Sequence, residues 1–582
     1  MKTTTPLLFF LLIAIAVSSW CLALRYRGAS DFTDTVNYMA QAGALGDGRQ
    51  FNHARIAWED YVSGQGNLNA TMSYPGQIFS LGLGGLSKAF NRPLELWMIL
   101  AFNFFVYVLC CVFCLLFLAR HLQGWEFFLV GFFSLTNFFV ITACVSTGTD
   151  GLGFAFLLLT LWLCSLKKPR AFAIGVVFGV SFFVRAHLAI FALFAPILFC
   201  EKFNRSAIRC AFPYVLGILC AYGGVFGVLK LYVAPPLPPM TVAQYAQTHG
   251  LPFTMPDENQ EMREQEKVSD NKSLSTFGWY YRQIAASFPT LKNYGVGWMT
   301  LGAYQTMGPT SWCFGPLFVA VFFSLFFRWS NTLIARYSLY VVCTFVTFFC
   351  AAYMLLVPAP AETMVHELKT LGRYFCYFFP LLPLSFWLIV RELLSPDMAL
   401  IQPLEKMKQK IFGQFPDSRL ILAGILLCLV FPGCFAYWGY GAALLARIPV
   451  RQGPIVFHGD DLLRKELRDL PPDCLVMSNN FTAVQSFSSV KHVVQNPASP
   501  EDFRRNKNNH LLEALVMFAR SAKVKMTENE KEMWIAELNK DAIIDEQGNR
   551  FVKVCSHQGE GATEVLVERR TFVVYRREAD RR

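Results

Sequence analysis

The chain has 582 residues, 54% of them hydrophobic, with 56 phenylalanines and a mean hydropathy of +0.36. That composition excludes a water-soluble multidomain protein of this length and points to a polytopic membrane protein. The formal net charge of +11 does not indicate nucleic acid, because the basic residues fall in small groups between apolar runs, where they fix membrane orientation. All 17 cysteines except Cys474 and Cys555 lie within or beside apolar segments, so no disulfide framework is legible, and pairing of those two stays open.

The first apolar run, 6–24, follows Lys2, is long and lacks a clean small-x-small cleavage site. It reads as a retained span rather than a secretory signal. Directly after it comes Asp34-Thr-Val-Asn-Tyr38-Met-Ala-Gln-Ala42-Gly-Ala-Leu45. As a helix, this stretch puts Tyr38, Ala42 and Leu45 on one face with the Asp34 carboxylate at its N-terminal end, and Asp31 on the same side. Asp34 has the chemistry of a general base at a membrane surface and equally that of a helix cap; spacing alone leaves both open.

Further apolar runs read as spans at 94–119, 125–145, 151–166, 171–184, 188–200, 211–233, 311–327, 337–357, 374–391 and 420–446, about eleven crossings in all. Alternate connections carry Arg120; Lys167, Lys168 and Arg170; Lys202, Arg205 and Arg209; Arg328 and Arg336; and Arg391 to Arg419. The positive-inside rule makes these cytoplasmic. The runs 171–184 and 188–200 are short for a hydrocarbon layer ~30 Å thick. Basic loops on both sides require an even number of crossings, so the pair reads as a hairpin turning at Arg185-Ala-His187.

The opposite side then receives 25–93, the turn Ser146 to Asp150, the Arg185/His187 tip, 234–310, 358–373 and the C-terminal part. Trp279, Tyr280 and Tyr281 look like interfacial anchors. Residues 1–447 thus form a membrane domain with external loops at 25–93 and 234–310. Residues 448–582 have the composition of a soluble α/β domain, with strands near Cys474 to Met477 and Lys491 to Val494, a helix near 510–520, and a hairpin from Phe551 to Val554 and Glu564 to Tyr575. It carries no nucleotide loop, metal spacing or nucleophile elbow. Asn69, Asn271 and Asn480 head short glycosylation sequons.

Two further groups carry chemistry. Asp150 opens a span and reads as an N-cap or as a second external carboxylate for an acceptor hydroxyl or a metal ion. Arg185 and His187, between two short apolar helices, are costly unless they face a polar cavity or find a partner. Together with Arg373 and Tyr374 they suggest a phosphate or pyrophosphate site.

On these residues the chain resembles the GT-C superfamily of integral-membrane glycosyltransferases, the group that includes protein O-mannosyltransferases and the lipid A aminoarabinose transferase. Asp34, Tyr38, Ala42 and Leu45 reproduce its Asp-x3-Tyr-x3-Ala-x2-Leu pattern, and Tyr74-Pro75 its Tyr-Pro element. Asp150-x2-Gly-Phe154, Gly175-x3-Gly179-x5-Arg185 and Gly372-Arg373-Tyr374-x5-Pro380-x2-Pro383 are similar to its later motifs. Two positions depart from it: Thr35 stands where many members have a second acidic residue, and Tyr377 replaces the first proline after Arg-Tyr.

The resemblance implies a mainly α, polytopic helical bundle of the GT-C type with a small C-terminal α/β extracytoplasmic domain. It further implies a polyprenyl-phosphate sugar donor, a lipid, glycan or protein acceptor, and inverting displacement with Asp34 as base. Arg185, His187, Arg373 and Tyr374 would hold the donor phosphate, with Asp31, Asp150 and Tyr38 as acceptor or metal candidates. No cofactor is certain, a divalent metal stays open, and a bacterial inner membrane is the expected location. The competing reading is a transporter or flippase of lipid-linked sugar, which predicts ionisable groups at the bilayer midplane and related repeats; a non-catalytic scaffold is a third.

Overall fold

The computed structural model describes residues 4–27, 35–46, 55–69, 76–91, 94, 96–145, 148–200, 205–232, 238–255, 314–327, 329, 331–356, 371–394, 424, 458–480, 483–485, 488, 490–518, 528–558 and 571–578. The expected span at 420–446, save residue 424, and the aromatic anchors at 279–281 lie outside them. So do Tyr74, Pro75 and Asn271. The chain forms two compact units, one of residues 1–31, 99–227 and 273–454, the other of 32–98, 228–272 and 455–582.

The helices in chain order are α1 (Thr4–Arg27), α2 (Thr35–Gly46), α3 (Trp58–Val62), α4 (Gln77–Ala89), α5 (Leu96–Leu118), α6 (Gly124–Leu135), α7 (Phe138–Val145), α8 (Asp150–Cys164) and α9 (Ala171–Ser181). There follow α10 (Leu188–Phe194), α11 (Pro196–Phe199), α12 (Arg205–Tyr232), α13 (Val242–Thr248), α14 (Phe314–Ser324), α15 (Thr332–Leu356), a 3₁₀ helix at Leu371–Phe378, and α16 (Leu381–Leu394). Among the described residues there follow α17 (His458–Leu467), α18 (Pro500–Arg505), a 3₁₀ turn at Asn509–Leu511 and α19 (Glu528–Leu538).

Four helices among the described residues are long and apolar enough to cross a membrane: Pro6–Leu24, Trp97–Leu118, Cys210–Leu231 and Thr332–Ala351. The other expected spans that are described are shorter apolar helices. The run read as one span at 125–145 is two helices, because Asn137 interrupts it. Its amide donates to the carbonyls of Phe133 (3.1 Å) and Ser134 (2.8 Å), closing α6, while its Oδ1 accepts from the Val140 amide (3.0 Å) and starts α7.

In the apolar unit, α9 and α12 meet backbone to backbone. A Cβ on Gly175 would fall onto the Tyr214 carbonyl, one on Gly217 onto the Phe172 carbonyl, and one on Gly179 within 2.6 Å of the Ile218 carbonyl oxygen. The Gly175-x3-Gly179 motif is therefore a helix-contact device of the small-xxx-small kind. Because the opposing atoms are main chain, they cannot yield without parting the helices. Gly175→Ala is expected to lose about 1–3 kcal/mol by overpacking, whereas Gly223→Ala, with nothing within 4 Å of its Cβ position, should change little. Thermal unfolding in detergent compares the two.

The second unit is built on a seven-stranded sheet in the order β1-β3-β2-β4-β7-β6-β5. Its strands are β1 (Arg55–Ile56), β2 (Leu475–Ser478), β3 (His492–Val494), β4 (Leu512–Phe518), β5 (Ala542–Ile544), β6 (Arg550–His557) and β7 (Phe572–Arg577). β1, β3, β2 and β4 run parallel, and the remainder pair antiparallel. The edge strand β1 comes from the 25–93 segment, far from the rest in sequence.

The helix expected near 510–520 is instead β4. Its Leu, Ala and Met residues favour a helix in isolation, but the strand is buried on both faces. Leu515 and Met517 pack with Tyr61, Tyr245 and Phe551 on one side, and Ala514, Val516 and Phe518 with Leu463, Leu467 and Val574 on the other. Cys474 and Cys555 are free thiols. Asn69 is buried and donates its Nδ2 to the Pro238 carbonyl (2.7 Å), so the sequon there is not an open acceptor.

His492 on β3 is buried, with Nδ1 3.1 Å from the Leu68 carbonyl. Burial is the largest cause and lowers its pKa, the Leu68 carbonyl and Asp473 raise it, and the Lys491 and His249 charges lower it again, so the folded pKa lies below the unfolded value. The unfolded chain then binds more protons. The stabilisation is full above the unfolded pKa of about 6.5 and is lost as pH falls below it. Protection factors of the β3 amides, taken relative to intrinsic exchange at each pH, should fall from pH 7.5 to 5.5 in the wild type, with a smaller fall in His492→Gln.

Candidate functional site

Tyr38, Ala42 and Leu45 are buried, as are Met39, Ala40, Gln41 and Ala44 around the same helix. That helix meets α4. The Tyr38 ring stands edge-on to Phe79 at 5.5 Å, and Ser80 Oγ donates to Gln41 Oε1 at 2.9 Å. A Cβ on Gly84 would lie 2.5 Å from the Ala42 carbonyl oxygen, so glycine admits the close approach. Tyr38, 1% exposed, is a packing residue of this unit. Asp31 and Asp34 lie outside the described residues.

Within the apolar unit, four segments converge. Asp150 is the first residue of α8, and the N-cap is Thr149. Arg185 sits in the turn after α9, its amide donating to the Ser181 carbonyl (2.9 Å) and its carbonyl accepting from the Leu188 amide (3.1 Å). Arg185 Nη2 lies 2.8 Å from Asp150 Oδ1, with the residues 7% and 0% exposed. The partner that a buried arginine demands is thus the carboxylate read from sequence as a cap or acceptor group.

The 3₁₀ helix supplies the third segment. With three residues per turn, positions i and i+3 eclipse, and the rings of Tyr374 and Tyr377 stack at 6.3 Å and 17°. The Arg185 guanidinium carbon lies 5.9 Å from the Tyr374 ring centroid. The His187 imidazole is edge-to-face with Tyr374 (4.8 Å), Tyr377 (5.0 Å) and, from α15, Phe348 (5.8 Å). Tyr377 donates its hydroxyl to the Asp150 carbonyl at 3.3 Å. Arg373 lies on the same 3₁₀ helix, but its side chain is outside the described residues.

The structure therefore brings together Asp150, Arg185, His187 and Tyr374, adds Tyr377 and Phe348, and assigns Tyr38 to the other unit. The sequence reading missed Tyr377 as a site residue, noting only that a proline was absent there. Its signal was the i,i+3 relation to Tyr374. Chemically the cluster offers a guanidinium, an imidazole and a phenol in a low-dielectric setting, where charge-assisted bonds to an anion are strong. An anion taken by Arg185 must share it with Asp150. Among the described residues no three His, Cys, Asp or Glu side chains gather as a metal set.

No family model and no curated relative matches the chain. Among solved structures it is similar to the Archaeoglobus fulgidus oligosaccharyltransferase tethered with an acceptor peptide containing the NVT sequon (11% identity, TM-score 0.42, covering 93% of this chain and 73% of that one). It is also similar to AglB from the same organism in complex with an inhibitory peptide and a dolichol-phosphate (9%, 0.42, 98% and 76%). A third is ArnT from Cupriavidus metallidurans bound to undecaprenyl phosphate (10%, 0.44, 98% and 98%).

Proposed function

We propose that the chain is a membrane glycosyltransferase of the GT-C type, moving a sugar from a polyprenyl-phosphate donor to a hydroxyl acceptor on the extracytoplasmic side of a membrane, with the bacterial inner membrane as its location. The observation that carries this reading is the buried cluster of Asp150, Arg185, His187 and Tyr374. These residues were singled out in the sequence for acid, cation and phenol chemistry, and they come from segments remote in sequence. Asp34 takes the proton of the acceptor hydroxyl as the sugar carbon is attacked with inversion. The bond to the lipid phosphate breaks, and the charge on the departing phosphate is balanced by Arg185 and His187, with Arg373 and Tyr374 as further donors. Asp150 holds the Arg185 guanidinium in place through their ion pair.

A transporter of lipid-linked sugar is favoured by one observation, the ion pair buried in the apolar unit, since intramembrane ionisable pairs also line transport paths. Purified protein in nanodiscs, offered radiolabelled polyprenyl-phosphate sugars with glycan, lipid and peptide acceptors, separates the two. Donor consumption by the wild type, falling ~10²-fold in a folded Arg185→Ala variant, supports the transferase. Lipid movement across proteoliposomes without turnover replaces it with the transporter.

A further inference from the structure

We infer that Tyr377 is a positioning residue for the anion-binding groups, acting through His187 and through the first turn of α8. The inference rests on the phosphate-site reading above. Tyr377 is 1% exposed and meets α8, the turn after α9 and Tyr374 of its own 3₁₀ helix. Its ring packs edge-to-face on His187 (5.0 Å), lies near-parallel to Tyr374 (6.3 Å), is tilted against Phe191 (5.7 Å) and stands edge-to-face with Phe154 (6.4 Å). Its hydroxyl holds the Asp150 carbonyl at 3.3 Å, which fixes the turn that carries the carboxylate paired with Arg185. One side chain thus sets the plane of the imidazole and the position of the counter-ion together.

Gly153 is the complement of Tyr377. A Cβ at position 153 would lie 2.6 Å from the Tyr377 hydroxyl oxygen, so α8 leaves space there for that oxygen. Gly153 has an ordinary helical place, and what requires glycine is the phenol above it. A proline at 377 would supply neither the ring on His187 nor the hydroxyl on Asp150.

Equilibrium binding of radiolabelled polyprenyl phosphate to nanodisc-embedded protein tests this, with thermal unfolding run in parallel. Tyr377→Leu, where folded, is expected to weaken binding about ten-fold or more, as displacement of positioning groups does. Tyr377→Phe, which keeps the ring on His187, should lose much less. Gly153→Ala should weaken binding as Tyr377→Leu does, and Gly153→Ala/Tyr377→Phe should restore it, because removing the hydroxyl removes the clash. This cycle carries the test even if Tyr377→Leu fails to fold. Wild-type binding that Gly153→Ala leaves unchanged, or that Tyr377→Phe fails to rescue, overturns the positioning role alone. Absence of binding by the wild type overturns it together with the phosphate-site reading.

Discussion

Asp150→Ala is expected to destabilise the apolar unit by about 3–5 kcal/mol, the scale for breaking one side of a buried ion pair. The carboxylate is fully buried and the guanidinium nearly so. Removing the acid leaves a permanent cation in a setting that solvates it poorly, and arginine cannot shed its proton to escape. Arg185→Ala should cost a similar amount by stranding the carboxylate, although that group can take up a proton. The double variant Asp150→Asn/Arg185→Met removes both charges and should recover most of the loss, since an apolar replacement of a buried pair is often neutral. Thermal unfolding in detergent measures all three. Equal stability of Asp150→Ala and wild type would mean that the pair contributes nothing to the fold.

Asp34→Asn should lower the transfer rate by roughly 10²–10⁴-fold, the range for losing a general base. The amide is nearly isosteric but cannot accept the acceptor's proton, so the loss should fall on kcat rather than on donor KM. Turnover by a folded Asp34→Asn protein at the wild-type rate would remove Asp34 from the mechanism.

Arg185 was legible in the sequence because a charge between short apolar helices has few inexpensive solutions. Its partner was not, because Asp150 also suits a helix cap and nothing local distinguishes the two roles. Glycines 175 and 179 were visible as a motif, yet their use as a contact surface depends on Tyr214 and Ile218 of another helix. The membrane character followed from composition. The break at Asn137 escaped because apolarity continues across it while one amide side chain ends α6 and starts α7. β1 is two residues long and has no period to read. β4 was misread because local propensity favours helix, and only burial between β2 and β7 overrides it. Tyr377 was read as a missing proline, since the value of its ring lies in His187 and the value of its hydroxyl in Asp150.

Donor recognition by the Arg185 cluster can be measured without knowing sugar or acceptor, through equilibrium binding of polyprenyl phosphate to nanodisc-embedded wild type and to charge-neutral Asp150→Asn/Arg185→Met. Loss of a charge-assisted bond to phosphate is worth about ten-fold or more in affinity. The wild type is expected to bind and the folded double variant to bind at least about ten-fold more weakly. Equal binding by the two proteins would contradict the assignment of Arg185 to the donor phosphate.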